Sequence, residues 1–230
     1  MNNRTIVFLH VPKAAGATLR KQLLSIYGAG HVFWFRPGHV HEDREKLKKM
    51  DSVERSALKA VTGHIRFGFV DRFLRQPLAY ITLLRDPIER IRSYYQFVLD
   101  TPSHPHHAVS REKDLAGFAG SDIPGLHDLQ TRMISGKTGH RLIGKDVYEL
   151  AEENLAQFAL VGVQERYGDF LQRLALWAGW QELAPVESVH QVSQRADVSN
   201  AARDVILERN RWDLALHERA RGAWVKDDPV

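Results

Sequence analysis

Two short stretches combine residue types that can grip phosphate. The first is His10-Val11-Pro12-Lys13-Ala14-Ala15-Gly16-Ala17-Thr18. An apolar run enters a turn of small residues, and a helix-forming segment leaves it. Such a joint aims backbone N–H groups at one point, with the positive end of the helix dipole behind them. Ala14, Ala15, Gly16 and Ala17 let a phosphate approach the backbone, Lys13 brings a full charge, and Thr18 offers a hydroxyl. The lysine precedes the turn, so this is not the nucleoside-triphosphatase loop, which ends in Gly-Lys-Ser/Thr. An ordinary strand–turn–helix joint with a solvated lysine shares the pattern, and the stretch alone does not separate the two. The second stretch is Leu84-Arg85-Asp86-Pro87-Ile88-Glu89-Arg90-Ile91-Arg92-Ser93-Tyr94-Tyr95. Arg85 stands where a strand ends, and Ser93 about two turns into the next helix with its side chain leaning back toward the start. Together they can hold one phosphate from two directions, the arginine through its bidentate fork. The alternative is a helix start in which Arg85 pairs with a surface carboxylate.

These stretches need elements to position them. Ile6 to Val11, Val61 to Ile65, Leu78 to Leu84 and Phe158 to Val163 are short apolar runs that read as buried strands. The unbroken apolar character of the third suits the middle of a parallel sheet. Helices are expected over Ala17 to Leu24, Glu42 to Ala60 with a break near Asp51-Ser52, and Leu126 to Ile134. Further helices are expected over Val147 to Gln157, Tyr167 to Trp177 and Asn200 to Ala220. Asp86, Pro87 and Glu89 form a strong start for another helix that continues through Val98. Tyr27 to His41, Thr101 to His107 and Ala184 to Val198 read as loops. Strands alternating with helices predict one α/β domain over residues 1–230. It would be three-layered and P-loop-like, with a central parallel sheet flanked by helices.

Composition narrows the function. The chain has 230 residues, a formal charge of +4 and no cysteine, which excludes a disulfide framework and thiolate metal sites. A sequence pI of about 9.4 suits an anionic ligand. Lys and Arg are scattered rather than striped, which argues against nucleic-acid binding. No segment approaches the ~20 apolar residues of a membrane span, and the start lacks a cleavage pattern. The expectation is a soluble, cytoplasmic protein.

The two stretches, in this order, resemble the sulfotransferases that use 3′-phosphoadenosine 5′-phosphosulfate (PAPS). The likeness is to the branch holding heparan-sulfate and uronyl 2-O-sulfotransferases and their bacterial relatives. The resemblance implies that Lys13, Ala14, Ala15, Gly16, Ala17 and Thr18 bind the 5′-phosphosulfate, and that Arg85 and Ser93 bind the 3′-phosphate. Gly63-His64 is similar to a segment of that family whose histidine acts as base, so His64 and Lys13 are the implied catalytic pair. Leu129 to Gly136, Val161 to Tyr167 and Asn210 to Leu216 also resemble motifs of the family. The implied product is 3′-phosphoadenosine 5′-phosphate (PAP). The implied acceptor is a hydroxyl-bearing molecule, with a saccharide first. Arg66, Arg132 and Arg195 are candidates for an anionic acceptor or for covering the cofactor. The His104, His106, His107 cluster reads as an acceptor-facing or solvated tip, and no metal is expected. A non-catalytic nucleotide-binding module and a P-loop-like kinase remain as rivals. Oligomeric state is not legible.

Overall fold

The runs Ile6 to Val11 and Leu78 to Leu84 place bulky side chains to both sides, which lets a sheet be covered on both faces. The computed structural model describes residues 4–137, 143–183 and 196–226. In chain order the elements are β1 (Thr5–Leu9), α1 (Gly16–Tyr27), β2 (Val32–Phe35), α2 (Val40–Lys49), α3 (Ser52–Ser56) and β3 (Ala60–Gly63). Next come β4 (Leu78–Leu84), α4 (Pro87–Leu99), α5 (His107–Glu112), α6 (Leu115–Ala119) and α7 (Leu129–Ser135). The chain continues through α8 (Lys145–Leu155), β5 (Leu160–Val163), α9 (Tyr167–Ala178), α10 (Asn200–Arg209) and α11 (Arg211–Lys226). The five strands form one sheet in the order β2-β3-β1-β4-β5, and every pairing is parallel. The expected three-layer α/β architecture is observed.

The alternation is visible in the packing. Ile6 and Phe8 of β1, with Ile81 and Leu83 of β4, pack on Leu19 and Leu23 of α1 and on Phe170 and Leu174 of α9. Val7 and Tyr80 point the other way, toward Phe35, Leu47, Val61 and Phe73. A third cluster joins Ile91 and Val98 of α4 to Phe118 of α6 and Ile206 of α10. Each fully buried side chain of this size stabilises the fold by about 1.5–3 kcal/mol.

The topology also decides where a ligand can sit. After β3 the chain crosses over β1 to form β4, so the direction of winding reverses between β1 and β4. In open parallel sheets the crevice outside the carboxyl ends at such a reversal is the ligand site. The Lys13 turn leaves β1 there and Arg85 leaves β4 there.

Two expectations need correction. Val32-Phe33-Trp34-Phe35, inside the segment read as a loop, is an edge strand in register with Ala60 to Gly63. Four residues set among glycines and a proline carry little periodicity, and their strand character comes from the partner. The final helix is two helices, because Asn210 interrupts it. The Asn210 Nδ2 donates to Leu126 O at 2.8 Å and Ile206 O at 3.0 Å, and its Oδ1 accepts from the Asp128 N–H at 3.0 Å. Among the described residues no helix is long and apolar enough to cross a membrane.

Candidate active site

The turn after β1 is built by backbone geometry that side chains rarely adopt. Lys13 and Ala15 are left-handed, with φ of 68° and 57°, at a cost of about 1–3 kcal/mol each that the surroundings must offset. Ala15 is the N-cap of α1. Thr18 and Leu19 donate their N–H groups to Ala15 O at 3.2 and 3.3 Å. Gly16 and Ala17 precede them, in the part of the first turn that has no intrahelical acceptor. Ala14 departs from the sequence expectation in its orientation. Its methyl is buried in the core and its N–H donates to Val11 O at 3.2 Å, so it shapes the turn from behind. Gly16 is required by a side chain rather than a ligand: a Cβ there would lie 1.8 Å from His10 Cδ2.

Lys13, Ala15, Gly16, Ala17, Thr18, His64, Arg85 and Ser93 all line one cavity of about 1420 Å³. The structure thus gathers every nominated site residue except Ala14 around one space. Arg85 is nearly buried, and its Nη1 donates to Lys13 O at 2.8 Å, tying the Lys13 turn to the end of β4. Its Nη2 stands 3.7 Å from Glu89 Oε2. The Lys13 ammonium lies over the Phe97 ring, 4.4 Å from its centroid, a cation–π contact. Burial, and then the nearby Arg85 charge, pull Lys13 down to about 8, against a smaller upward pull from Asp100.

His64 follows β3 as His10 follows β1. Leu9 and Gly63 are register partners, so the two imidazoles stand side by side, 4.6 Å between centroids and edge to face. His10 also stacks on Phe8 at 5.4 Å. Burial pushes His64 down to about 4. It pushes His10 well below the ordinary imidazole range too, helped by His64, Arg20 and Lys13. Both rings are therefore neutral at pH 7. Gly63 permits the arrangement, since a Cβ would come within 2.6 Å of Phe35 Cβ and 2.7 Å of Phe35 O.

Further cavity residues were not nominated from sequence. The Gln164 Oε1 and Tyr167 OH are buried without a hydrogen-bond partner among the described residues, and both residues line the cavity beyond β5. On the opposite side, on the edge strand β2, Trp34 is partly exposed and the Arg20 guanidinium lies 4.0 Å from its ring centroid. Gln164 and Tyr167 lie in the motif-like stretch Val161 to Tyr167, which assigned them no role, whereas for Arg20 and Trp34 the only sequence signal is type, because nothing in the spacing brings them to Lys13. Arg66 and Arg132 line the cavity as candidates, and Arg132 Nε donates to His127 O at 3.0 Å. Arg195 lies outside the described residues. Of the histidine cluster, only His104 reaches the cavity, between the rings of Tyr94 and Phe97. His107 Nδ1 is 3.0 Å from Val98 O, which fastens the loop to α4. Among the described residues no three His, Asp or Glu side chains are grouped to hold a metal ion.

No protein-family model matches the chain, and no curated protein matches it. Among solved structures, the chain is similar to mouse sulfotransferase SULT7A1 complexed with PAP. The identity is 14%, over 90% of this chain and 64% of that one, with a TM-score of 0.47.

Proposed function

We propose that this chain moves a sulfuryl group from PAPS to an acceptor hydroxyl, and that the acceptor is a saccharide. One observation carries the reading. The left-handed Lys13 turn and the Arg85–Ser93 pair, separated by 72 residues at their Arg85–Lys13 contact, meet on one cavity at the winding reversal. The motif order noted above supports the same conclusion.

The residues present fit such a nucleotide. The cavity is large enough for nucleotide and acceptor together. Its lining holds Lys13, Arg20, Arg66, Arg85, Arg90 and Arg132 against a single carboxylate, Asp122, among the described residues. That balance suits a polyanion. Gln164 Oε1 and Tyr167 OH are buried polar atoms with no hydrogen-bond partner among the described residues, and a purine base can supply one. A magnesium-dependent kinase would need carboxylates facing the phosphates, and among the described residues the cavity lining has only Asp122, on the segment between α6 and α7.

PAPS supplies the sulfuryl group, by in-line displacement analogous to phosphoryl transfer. Lys13, with the N–H groups at the start of α1, stabilises negative charge developing on the leaving oxygen. Arg85 and Ser93 anchor the 3′-phosphate and act on binding more than on chemistry. His64 accepts the acceptor proton: burial keeps its imidazole neutral and able to accept at pH 7, and an anionic ligand alongside raises its basicity. Arg66 after β3, Trp34 on β2 and Arg20 on α1 line the same cavity and are assigned to the acceptor.

Calorimetric titration with PAP, AMP and ATP–Mg²⁺ tests the proposal. PAP should bind tightest, and Arg85→Ala should weaken PAP by about tenfold or more. Binding of ATP–Mg²⁺ without PAP would replace the sulfotransferase reading with the kinase.

A further inference from the structure

The motif Leu129 to Gly136 has no member in the phosphate-gripping set, yet its second residue touches that set directly. Gln130 is fully buried. Its Oε1 accepts the Arg85 N–H at 2.9 Å, and its Nε2 donates to the Arg85 carbonyl at 2.9 Å. The need for this pairing follows from the sheet. The β4 ladder ends at Leu84, paired with Val163, so Arg85 is the first residue whose N–H and C=O lack strand partners. Buried backbone groups in that position must be satisfied, and one carboxamide satisfies both, as a neighbouring strand would. This fixes the Arg85 backbone while Lys13 O fixes its guanidinium.

Gln130 is itself held from behind. Its N–H donates to Asp213 Oδ2 at 3.1 Å, and Thr131 donates its N–H and Oγ1 to Asp213 Oδ1 at 2.8 and 2.9 Å. Asp213 thereby caps the start of α7. In return Asp128, just before α7, accepts the N–H groups of Trp212 and Asp213 at the start of α11, both at 3.0 Å. The two helix starts face each other and each is capped by the other's carboxylate, with buried Arg90 3.9 Å from Asp213.

We propose that Gln130, braced by Asp213, is the positioning residue that gives the Arg85 site its selectivity for a 3′-phosphorylated nucleotide. The proposal rests on the PAPS reading and extends it to a residue that does not touch the ligand. Its signature is selectivity rather than stability, because AMP lacks the phosphate that Arg85 would hold.

The experiment is calorimetric titration of the full chain with PAP and with AMP, alongside thermal melting. The variants are Gln130→Met, which keeps length without hydrogen bonds, and Gln130→Glu, which sets an oxygen against the Arg85 carbonyl. Asn154→Ala is the control: it removes a hydrogen bond from α8 to Ile134 O of α7, the helix that carries Gln130, at 3.0 Å, without touching Arg85. Gln130→Met should lower PAP affinity about tenfold and leave AMP within about twofold, collapsing their ratio. Asn154→Ala should lower the melting temperature and preserve the ratio. If Gln130→Met does not fold, Gln130→Glu is read the same way. A wild-type ratio in either folded variant overturns the inference alone. A wild-type chain with no preference for PAP overturns the sulfotransferase reading and this inference with it.

Discussion

Lys13 offers a test in which pH does the work of a mutation. Burial and Arg85 hold its ammonium at about 8, so in the free protein the charge is lost as pH rises through that value. The imidazoles and phenols around the cavity do not titrate in that range. His10 and His64 are pushed down and already neutral, while Tyr94 is pushed up and Tyr167 is raised to about 12. The PAP 3′-phosphate has its second pKa at about 6 and is doubly ionised by pH 7.5. Between pH 7.5 and 9.5 a change in PAP affinity therefore reports Lys13. At pH 9 about one ammonium in ten remains, and PAP affinity should be about tenfold below its value at pH 7.5. The loss levels off at the worth of one charge-assisted hydrogen bond, about 1.5–3 kcal/mol or roughly ten- to a hundredfold. Lys13→Arg keeps its charge throughout and should show a flat profile. Isothermal titration at constant ionic strength reads both. A wild-type affinity unchanged from pH 7.5 to 9.5 would refute the placement of Lys13 against the anion.

His64→Ala should reduce turnover about a hundredfold or more while PAP affinity stays within about twofold; undiminished turnover removes His64 from the chemistry. Gly16→Ala puts a methyl 1.8 Å from His10 Cδ2, so thermal melting should show a loss of about 1–3 kcal/mol. Adding His10→Ala should recover most of that, whereas additive losses would mean the clash is not with His10. The Asp128 carboxyl is held well above the ordinary carboxylate range by burial first and then by Asp213. The native state thus binds more protons than the unfolded chain between the two values, and stability falls as pH rises through that window. Asp128→Asn keeps an acceptor for the Trp212 and Asp213 N–H groups. It should melt above wild type at pH 8 and lose that advantage at pH 5, and an equal gap at both pH values would contradict the account.

Local chemistry made much of this protein legible in one dimension. The β4 strand, Leu78–Leu84, and the helix start at Asp86-Pro87 were read with their observed limits. A seven-residue apolar run and a capping proline act through near neighbours alone. The Lys13 turn and Arg85 were nominated for the same reason, since each is a strand end followed by a helix start. Residues joined only by the fold were not legible. Val32 to Phe35 becomes a strand because β3 lies beside it. Asn210 divides the last helix because Leu126 and Asp128 are there to bond it.

The sequence by itself determined the alternation of strands and helices, the parallel sheet and the two strand-to-helix joints at Lys13 and Arg85, because each depends on residue type at short spacing. Only the tertiary structure decided what stands against what. It set His10 beside His64, turned Ala14 into the core, opened Gln164 and Tyr167 onto the cavity, and ran Gln130 and Asp213 behind Arg85. The physical reason is that buried backbone and carboxylate groups must find partners, and in a wound parallel sheet those partners come from segments tens of residues away.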